Sequence, residues 1–223
     1  KKSLCQNFLI DRNILEKIVS AAEIQPGDTV LEIGPGVGGL TQALAEAGAQ
    51  VVAVEIDENL VVILEEVLAA YPQVRIVHGD ALQIPLAELV PRGRTCRVVA
   101  NLPYYITSPL LLKLFEEHLA MSVAVVMVQR EVAQRIVAKP GSKDYGALGV
   151  NLAYYAQAEV VCSVPRTVFY PQPNVDSSVV RLIPRPFPHA VTEASVFSRV
   201  VRAAFGQRRK TLRNALGTVL DDA

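Results

Sequence analysis

The 223-residue chain has no tryptophan and only three cysteines, three histidines and two methionines. Each scarcity removes a class of protein. Cys5, Cys96 and Cys162 are odd in number, far apart and in no C-x-x-C pair, so neither a disulfide framework nor a zinc site is expected. They read as free thiols of a cytoplasmic protein. His78, His118 and His189 are scattered and give no metal-ligand spacing, so no metal is expected. No apolar run reaches the ~18 residues of a membrane span, and the N-terminus lacks the apolar stretch and cleavage site of a signal peptide. No membrane contact is expected. The first residue is lysine rather than methionine, which suggests trimming. Net charge is also missing, because 22 basic residues balance 22 acidic ones. That balance excludes a uniformly basic nucleic-acid binder but leaves room for a local patch. Arg199, Arg202, Arg208, Arg209, Lys210 and Arg213 lie together with no acid among them. At helical spacing several of these charges would share one side and could contact nucleic-acid phosphates. A solvated helix face would look similar.

Apolar residues are plentiful, at 51% of the chain, and can fill a substantial core. Their pattern alternates between strands and helices. Apolar spacing predicts a helix over 13–22, and Pro26-Gly27-Asp28 a turn. Strands are expected at Thr29–Ile33, Val51–Val54, Val74–Val77, Arg97–Ala100 and Ser122–Val128. Helices are expected at Leu40–Ala47, from Asp57 to about Ala70, and at Thr107–His118. Asp57 is placed to cap the second of these. Two helices separated by a turn at Pro140–Asp144 should fill 130–157. Strands at Glu159–Arg166 and Ser177–Leu182 would form an antiparallel pair at a sheet edge, with a proline-stiffened loop, Thr167–Asp176, between them. This rhythm indicates an α/β fold with a mainly parallel sheet. Pro184–Pro188 reads as a boundary, giving one domain over 1–184. Residues 185–223 would form either a short docked helical subdomain or the start of one that has been cut. A monomer is the default.

One strand runs directly into Gly34-Pro35-Gly36-Val37-Gly38-Gly39, and a helix follows. This context suits either a dinucleotide or S-adenosylmethionine. Glu55 lies 21 residues after Gly34 and could accept ribose hydroxyls in either class. Asp80, after the third strand, favours the second, since a carboxylate there can accept the adenine amine. Glu32 could orient the turn or face the cofactor's positive end. After the fourth strand comes Asn101-Leu102-Pro103-Tyr104. The Asn101 side-chain oxygen and the Leu102 carbonyl could each accept a hydrogen from an exocyclic amine. Tyr104 could stack on the base, and Phe169 could cover its other face.

These segments, with QNFLID (6–11), VFYPQPNVDSSVV (168–180) and FGQRRKTLRNAL (205–216), resemble the small-subunit ribosomal RNA adenine dimethyltransferases, most closely the bacterial branch. The resemblance implies a Rossmann-like class I methyltransferase with a seven-stranded sheet. It implies that Asn7, Leu9, Gly34, Gly36, Glu55, Ile56, Asp80, Ala81 and Asn101 contact S-adenosylmethionine. Asn101, Leu102, Pro103, Tyr104 and Phe169 would hold the target adenine, while Gln6 and Phe8 would cover the site. The implied partner is 16S rRNA within the small subunit, dimethylated at two adjacent adenosines, with S-adenosylhomocysteine as product. Cys5 and Tyr105 depart from the usual glycine and asparagine, and neither removes an expected polar contact. Three readings compete: a large-subunit adenine methyltransferase of the antibiotic-resistance type, a nicotinamide oxidoreductase, and a non-enzymatic assembly factor that could coexist with catalysis.

Overall fold

A computed structural model of the chain describes residues 7–104, 106–186, 191, 193–207 and 210–220. Gln6, Cys5, Tyr105, His189, Arg208 and Arg209 lie outside the described residues. In chain order the elements are β1 (Phe8–Leu9), α1 (Arg12–Ala21), β2 (Thr29–Ile33), α2 (Gly39–Glu46), β3 (Gln50–Glu55), α3 (Glu58–Val67) and β4 (Val74–His78). They continue with β5 (Cys96–Asn101), α4 (Thr107–Glu116), β6 (Met121–Gln129), α5 (Arg130–Ile136), α6 (Ala147–Tyr155) and β7 (Ala156–Val164). The last are β8 (Phe169–Tyr170), β9 (Ser177–Pro184), α7 (Ala194–Gly206) and α8 (Leu212–Leu220).

Seven strands form one sheet in the order β4-β3-β2-β5-β6-β9-β7. Strands β4, β3, β2, β5 and β6 are parallel, and β9 runs antiparallel between β6 and β7. The chain first builds outward from β2 to β3 and β4. It then crosses over and builds the other way through β5 and β6. This reversal opens a crevice beyond the carboxyl ends of β2 and β5, where open α/β sheets bind ligands. All five residues of β2 are buried, as expected of a strand with both faces covered. Two apolar clusters flank the sheet, one including Leu31, Val98 and Leu111, the other Val30, Leu44 and Val125.

The capping chemistry follows from single residues. Asp11 accepts a hydrogen bond from Ile14 N (3.0 Å) and starts α1. Asp57 accepts from Asn59 N (3.0 Å) and starts α3, as its position predicts. Each cap satisfies an amide that the first turn leaves without a helical partner.

Three expectations need correction. The strand expected at Glu159–Arg166 spans Ala156–Val164. The ladder with β9 extends to Ala156↔Pro184, so it claims the three residues after α6, and Pro165 ends it for want of an N–H. The loop expected at Thr167–Asp176 contains β8, which pairs antiparallel with β1 as Phe8↔Tyr170 and Leu9↔Phe169. The basic segment is not one helix, because α7 ends at Gly206 and α8 begins at Leu212. Thr211 supplies the new start, its Oγ1 accepting from Asn214 N at 3.4 Å. Arg199 and Arg202 therefore ride on α7, Arg213 on α8, and Lys210 between them; all four are exposed.

Helix α7 docks on α6. Ser198 Oγ donates to Asn151 Oδ1 at 2.9 Å, with both residues buried, and the Phe197 ring stacks on Tyr154 with centroids 4.6 Å apart.

Candidate active site

Strands β2 and β5 are paired from Thr29↔Cys96 to Ile33↔Ala100, so Gly34 and Asn101 leave the sheet side by side. The glycine turn and the Asn101–Tyr104 segment are thereby brought into one wall. A Cβ on Gly34 would lie 3.7 Å from both the Asn101 carbonyl oxygen and Pro103 Cδ. Gly34 has φ +72° and Gly36 φ +61°, a region that glycine enters without steric cost. At Gly36 the close approach is to the Phe8 ring, which a Cβ would meet at 3.0 Å. The N-terminal segment thus lies on the turn, held by the β1–β8 pairing and by Ile10 N donating to Val168 O at 3.0 Å.

The resulting cleft opens to solvent and spans about 1070 Å³ with the open solvent at its mouth included. It is lined by every residue expected to hold cofactor: Asn7, Leu9, Gly34, Gly36, Glu55, Ile56, Asp80, Ala81 and Asn101. It is also lined by Leu102, Pro103, Tyr104 and Phe169, the residues expected to hold the base. Of the described basic residues, Arg199, Arg202, Lys210 and Arg213 do not line it.

Glu55, at the end of β3, is 3% exposed. Its Oε1 accepts from Ile56 N (2.9 Å) and Asp57 N (3.0 Å), and its Oε2 accepts from Gly36 N (3.2 Å). Burial raises its pKa from the ordinary carboxylate value, while these three amides oppose the rise. The amides fix the carboxylate's orientation, and an oxygen with two lone pairs can still receive a hydroxyl. Asp80 Oδ1 accepts from Leu82 N at 2.9 Å, which aims the acid at the end of β4.

Asn101 Nδ2 donates to the Asn7 carbonyl at 3.3 Å. Because that partner can only accept, the amide's orientation is determined, and Oδ1 is the atom left for a ligand's N–H. Leu102 is buried, with its amide donating to Met127 O on β6 at 3.1 Å. The Pro103 carbonyl accepts from Thr107 Oγ1 and Ile106 N, both at 3.2 Å, joining the segment rigidly to α4. Tyr104 is half-buried, and its hydroxyl is 3.1 Å from Ser177 Oγ at the start of β9. Phe169 is buried between the cleft and the core.

Several supporting residues give no sequence signal. Lys113 of α4 donates to Leu82 O (3.0 Å) and Ile84 O (2.9 Å) and pairs with Glu117 at 2.8 Å. Glu117 in turn accepts from Leu86 N at 3.0 Å, so this ion pair holds the loop that carries Asp80. Asp176 accepts from Arg166 N at 3.0 Å and closes the loop that carries Phe169. A lysine four residues before a glutamate reads as a surface pair. Only the fold shows what lies beneath it.

Glu32 is the unusual acid. It is 1% exposed and lines the cleft, and neither carboxyl oxygen has a hydrogen-bond partner. Burial pushes its pKa up to about 8, against the lowering effect of the nearby Thr41 hydroxyl and with a further rise from the Glu55 charge. Thr41 Oγ1 stands outside hydrogen-bond geometry and is itself buried without a partner. Its effect on Glu32 is therefore that of a close dipole rather than a formed hydrogen bond.

Among the described residues, no group of three or more His, Cys, Asp or Glu could hold a metal ion. No described helix is long and apolar enough to cross a membrane.

The ribosomal RNA adenine dimethylase family model matches residues 1–223. The chain is 55% identical over 227 residues to ribosomal RNA small subunit methyltransferase A of Geobacillus thermodenitrificans, covering 100% of this chain and 78% of that protein. It is 53% identical, with the same coverage, to the protein of the same name from Bacillus cytotoxicus. Among solved structures it is similar to a dimethyladenosine transferase from Plasmodium falciparum, with TM-score 0.82 and 33% identity, covering 96% of this chain and 77% of that one. It is also similar to the 23S rRNA methyltransferase ErmE, with TM-score 0.76 and 31% identity, covering 94% and 83%. The chain belongs to the ribosomal RNA adenine dimethylase family.

Proposed function

We infer that the chain methylates the N6 amines of two adjacent adenosines near the 3′ end of 16S rRNA. The methyl donor is S-adenosylmethionine, and the product is N6,N6-dimethyladenosine in the maturing small ribosomal subunit. The observation that carries this reading is the meeting, in one cleft, of the glycine turn with its acids and the Asn101–Tyr104 segment. A dinucleotide enzyme would give the second group no task.

The chain's residues suit the cofactor. The left-handed glycines leave room over the turn, Glu55 offers remaining lone pairs to ribose hydroxyls, and Asp80 offers a carboxylate to an adenine amine. Glu32 adds a buried, unpartnered carboxyl on the same wall. When bound, S-adenosylmethionine supplies an electrophilic methyl on a sulfonium and leaves as S-adenosylhomocysteine.

The protein's own task is to present the amine. The N6 lone pair of adenine is delocalised into the ring and is a weak nucleophile. Acceptance of one N–H by Asn101 Oδ1 and of the other by the Leu102 carbonyl favours the pyramidal form as positive charge develops on nitrogen. This is electrostatic preorganisation aimed at the transition state. Tyr104 and Phe169 sandwich the base and fix its distance and angle. The Tyr104–Ser177 contact and the Asp176–Arg166 contact hold these rings. The cationic amine formed loses its proton to water, so no dedicated base is needed.

The base must leave any stack to enter, which costs least in a loop. Arg199, Arg202, Lys210 and Arg213 are exposed and would contact phosphates outside the cleft. We assign RNA contact to 185–223 and catalysis to 1–184, in a cytoplasmic setting consistent with the free thiols Cys96 and Cys162. A concurrent role in subunit assembly is compatible with this arrangement.

The test is transfer of labelled methyl to unmethylated small subunits, large subunits and naked 16S rRNA. The expected result is incorporation into small subunits only, as dimethyladenosine at two adjacent sites. Incorporation into large subunits alone would replace this reading with that of the antibiotic-resistance type.

A further inference from the structure

Two consecutive rings on β8 have opposite surroundings. Phe169 is buried and lines the cleft. Tyr170 is 73% exposed and does not line it. Successive residues of a strand point to opposite faces, so the two rings do not share a side. The other described tyrosines are all at least partly buried, and each has a partner. Tyr71 donates to Glu46, Tyr104 meets Ser177, Tyr145 packs edge-on against Phe205, and Tyr154 and Tyr155 touch each other. Among the described tyrosines, Tyr170 alone has neither a hydrogen bond from its hydroxyl nor a ring contact.

The backbone beneath this exposed ring is fixed. Tyr170 pairs with Phe8 of β1, so the two side chains stand on one face, and Phe8 lies on the glycine turn at Gly36. Ile10 N donates to Val168 O at 3.0 Å, and Arg166 N donates to Asp176 Oδ1 at 3.0 Å, which closes the loop. Pro171 and Pro173 stiffen it further. A ring on a rigid rim loses little freedom when a ligand covers it. The foot of the same loop is basic. Arg166 lines a second, polar groove there with Arg130 from the start of α5, and both are exposed. The groove's acids are engaged, Glu131 with Arg135 and Asp176 with Arg166 N. An aromatic face beside guanidinium groups suits single-stranded nucleic acid, the ring taking a base and the cations its phosphates.

The substrate supplies an occupant. It carries two adjacent adenosines, and the cleft offers one pair of rings, Tyr104 and Phe169, to one base. Drawing that base out of its stack bares a face of its neighbour. We propose that Tyr170 stacks on the bared face, so that the nucleotide next to the target binds across the rim as a second subsite. This rests on the assignment of the cleft to adenine methylation. Phe169 and Tyr170 then hold neighbouring bases on opposite faces of one strand. Stacking uses the face of a base and not its N6 edge, so the subsite accepts the neighbour before and after that neighbour is methylated. Tyr170 touches no reacting atom and is a positioning residue.

The experiment is single-turnover methyl transfer at saturating adenosylmethionine, with unmethylated small subunits titrated, for the wild type, Tyr170→Leu and Tyr170→Phe. Tyr170→Leu should raise the subunit concentration needed for half-maximal rate by about five- to a hundredfold, the loss of one base–ring stack. Tyr170→Phe keeps the ring and should match the wild type. Both variants should keep the wild type's melting temperature and its dissociation constant for adenosylmethionine, measured by calorimetry. A second substrate shows what the ring touches: small subunits with one of the two adenosines replaced by uridine, which stacks less well. The wild type should need more of these subunits, and Tyr170→Leu should be indifferent to the change. Unaltered half-saturation in Tyr170→Leu, an equal loss in Tyr170→Phe, or an equal uridine penalty in wild type and Tyr170→Leu overturns the proposal and leaves the methyltransferase reading intact. A lowered melting temperature or weakened cofactor binding in Tyr170→Leu assigns the ring to the fold and also overturns it. No methyl transfer to small subunits by the wild type overturns both.

Discussion

The two halves of the cleft are built from opposite chemistries. The half at the ends of β2, β3 and β4 carries Glu32, Glu55 and Asp80 and is shaped by glycine backbone. The half at the end of β5 and on the β8 loop carries Asn101, Leu102, Pro103, Tyr104 and Phe169, with no ionised side chain. Carboxylates suit a ligand with hydroxyls, an amine and cationic groups. Neutral acceptors and rings suit a neutral base whose charge appears only during reaction. An acid beside N6 would stabilise a proton already present, whereas an amide oxygen and a carbonyl orient a lone pair. The sheet keeps the halves adjacent because β2 and β5 are neighbours at the point where the topology reverses.

Substitutions can break or sharpen that division. The largest effect is expected at the neutral half. Asn101→Ala removes one acceptor for the amine and should lower single-turnover methyl transfer by about 10²–10³-fold, as removal of one preorganised polar group does elsewhere. The second tests the acidic half through stability. Glu32 has its pKa raised to about 8 from the ordinary 4.5, so the folded chain holds a proton that the unfolded chain has lost across that window. Stability of the cofactor-free protein should therefore fall as pH rises from about 4.5 to 8 and level off above, by a few kcal/mol at most. Glu32→Gln should flatten this slope in denaturant unfolding at several pH values. The third acts on the turn between the halves. Gly36→Ala places a Cβ 3.0 Å from Phe8 Cδ1 at φ +61°. It should cost about 1–2 kcal/mol in thermal unfolding and weaken cofactor binding. The smallest is Tyr104→Phe, which keeps the ring and loses the Ser177 contact. It should slow transfer only a few-fold, in line with the roughly 1 kcal/mol of one neutral hydrogen bond.

Much of this was legible in the sequence, and the exceptions have physical causes. Strand, glycine turn and helix declare themselves through local chemistry, so β2, α2 and the residues at the strand ends stand where periodicity and spacing place them. Phe8–Leu9 and Phe169–Tyr170 escape, because a two-residue strand has no period and its partner lies some 160 positions away. The break between α7 and α8 escapes for a different reason. Basic residues at helical spacing look continuous, and the stop depends on Gly206 and the Thr211 start. Lys113 and Glu117 read as an ordinary surface pair, although they hold the Asp80 loop. The same limit applies to Glu32. Its position before the turn is plain in the sequence, but its lack of any donor is a property of the packed interior.

The division of the cleft is tested most directly by single-turnover methyl transfer to unmethylated small subunits with cofactor titrated to saturation, comparing Glu55→Gln with Tyr104→Ala. Glu55→Gln should raise the cofactor concentration needed for half-maximal rate and leave the saturated rate within a few-fold of the wild type. Tyr104→Ala should leave that concentration unchanged and lower the saturated rate. If both substitutions move the same parameter, the two halves are not separate in function and this account of the cleft is wrong.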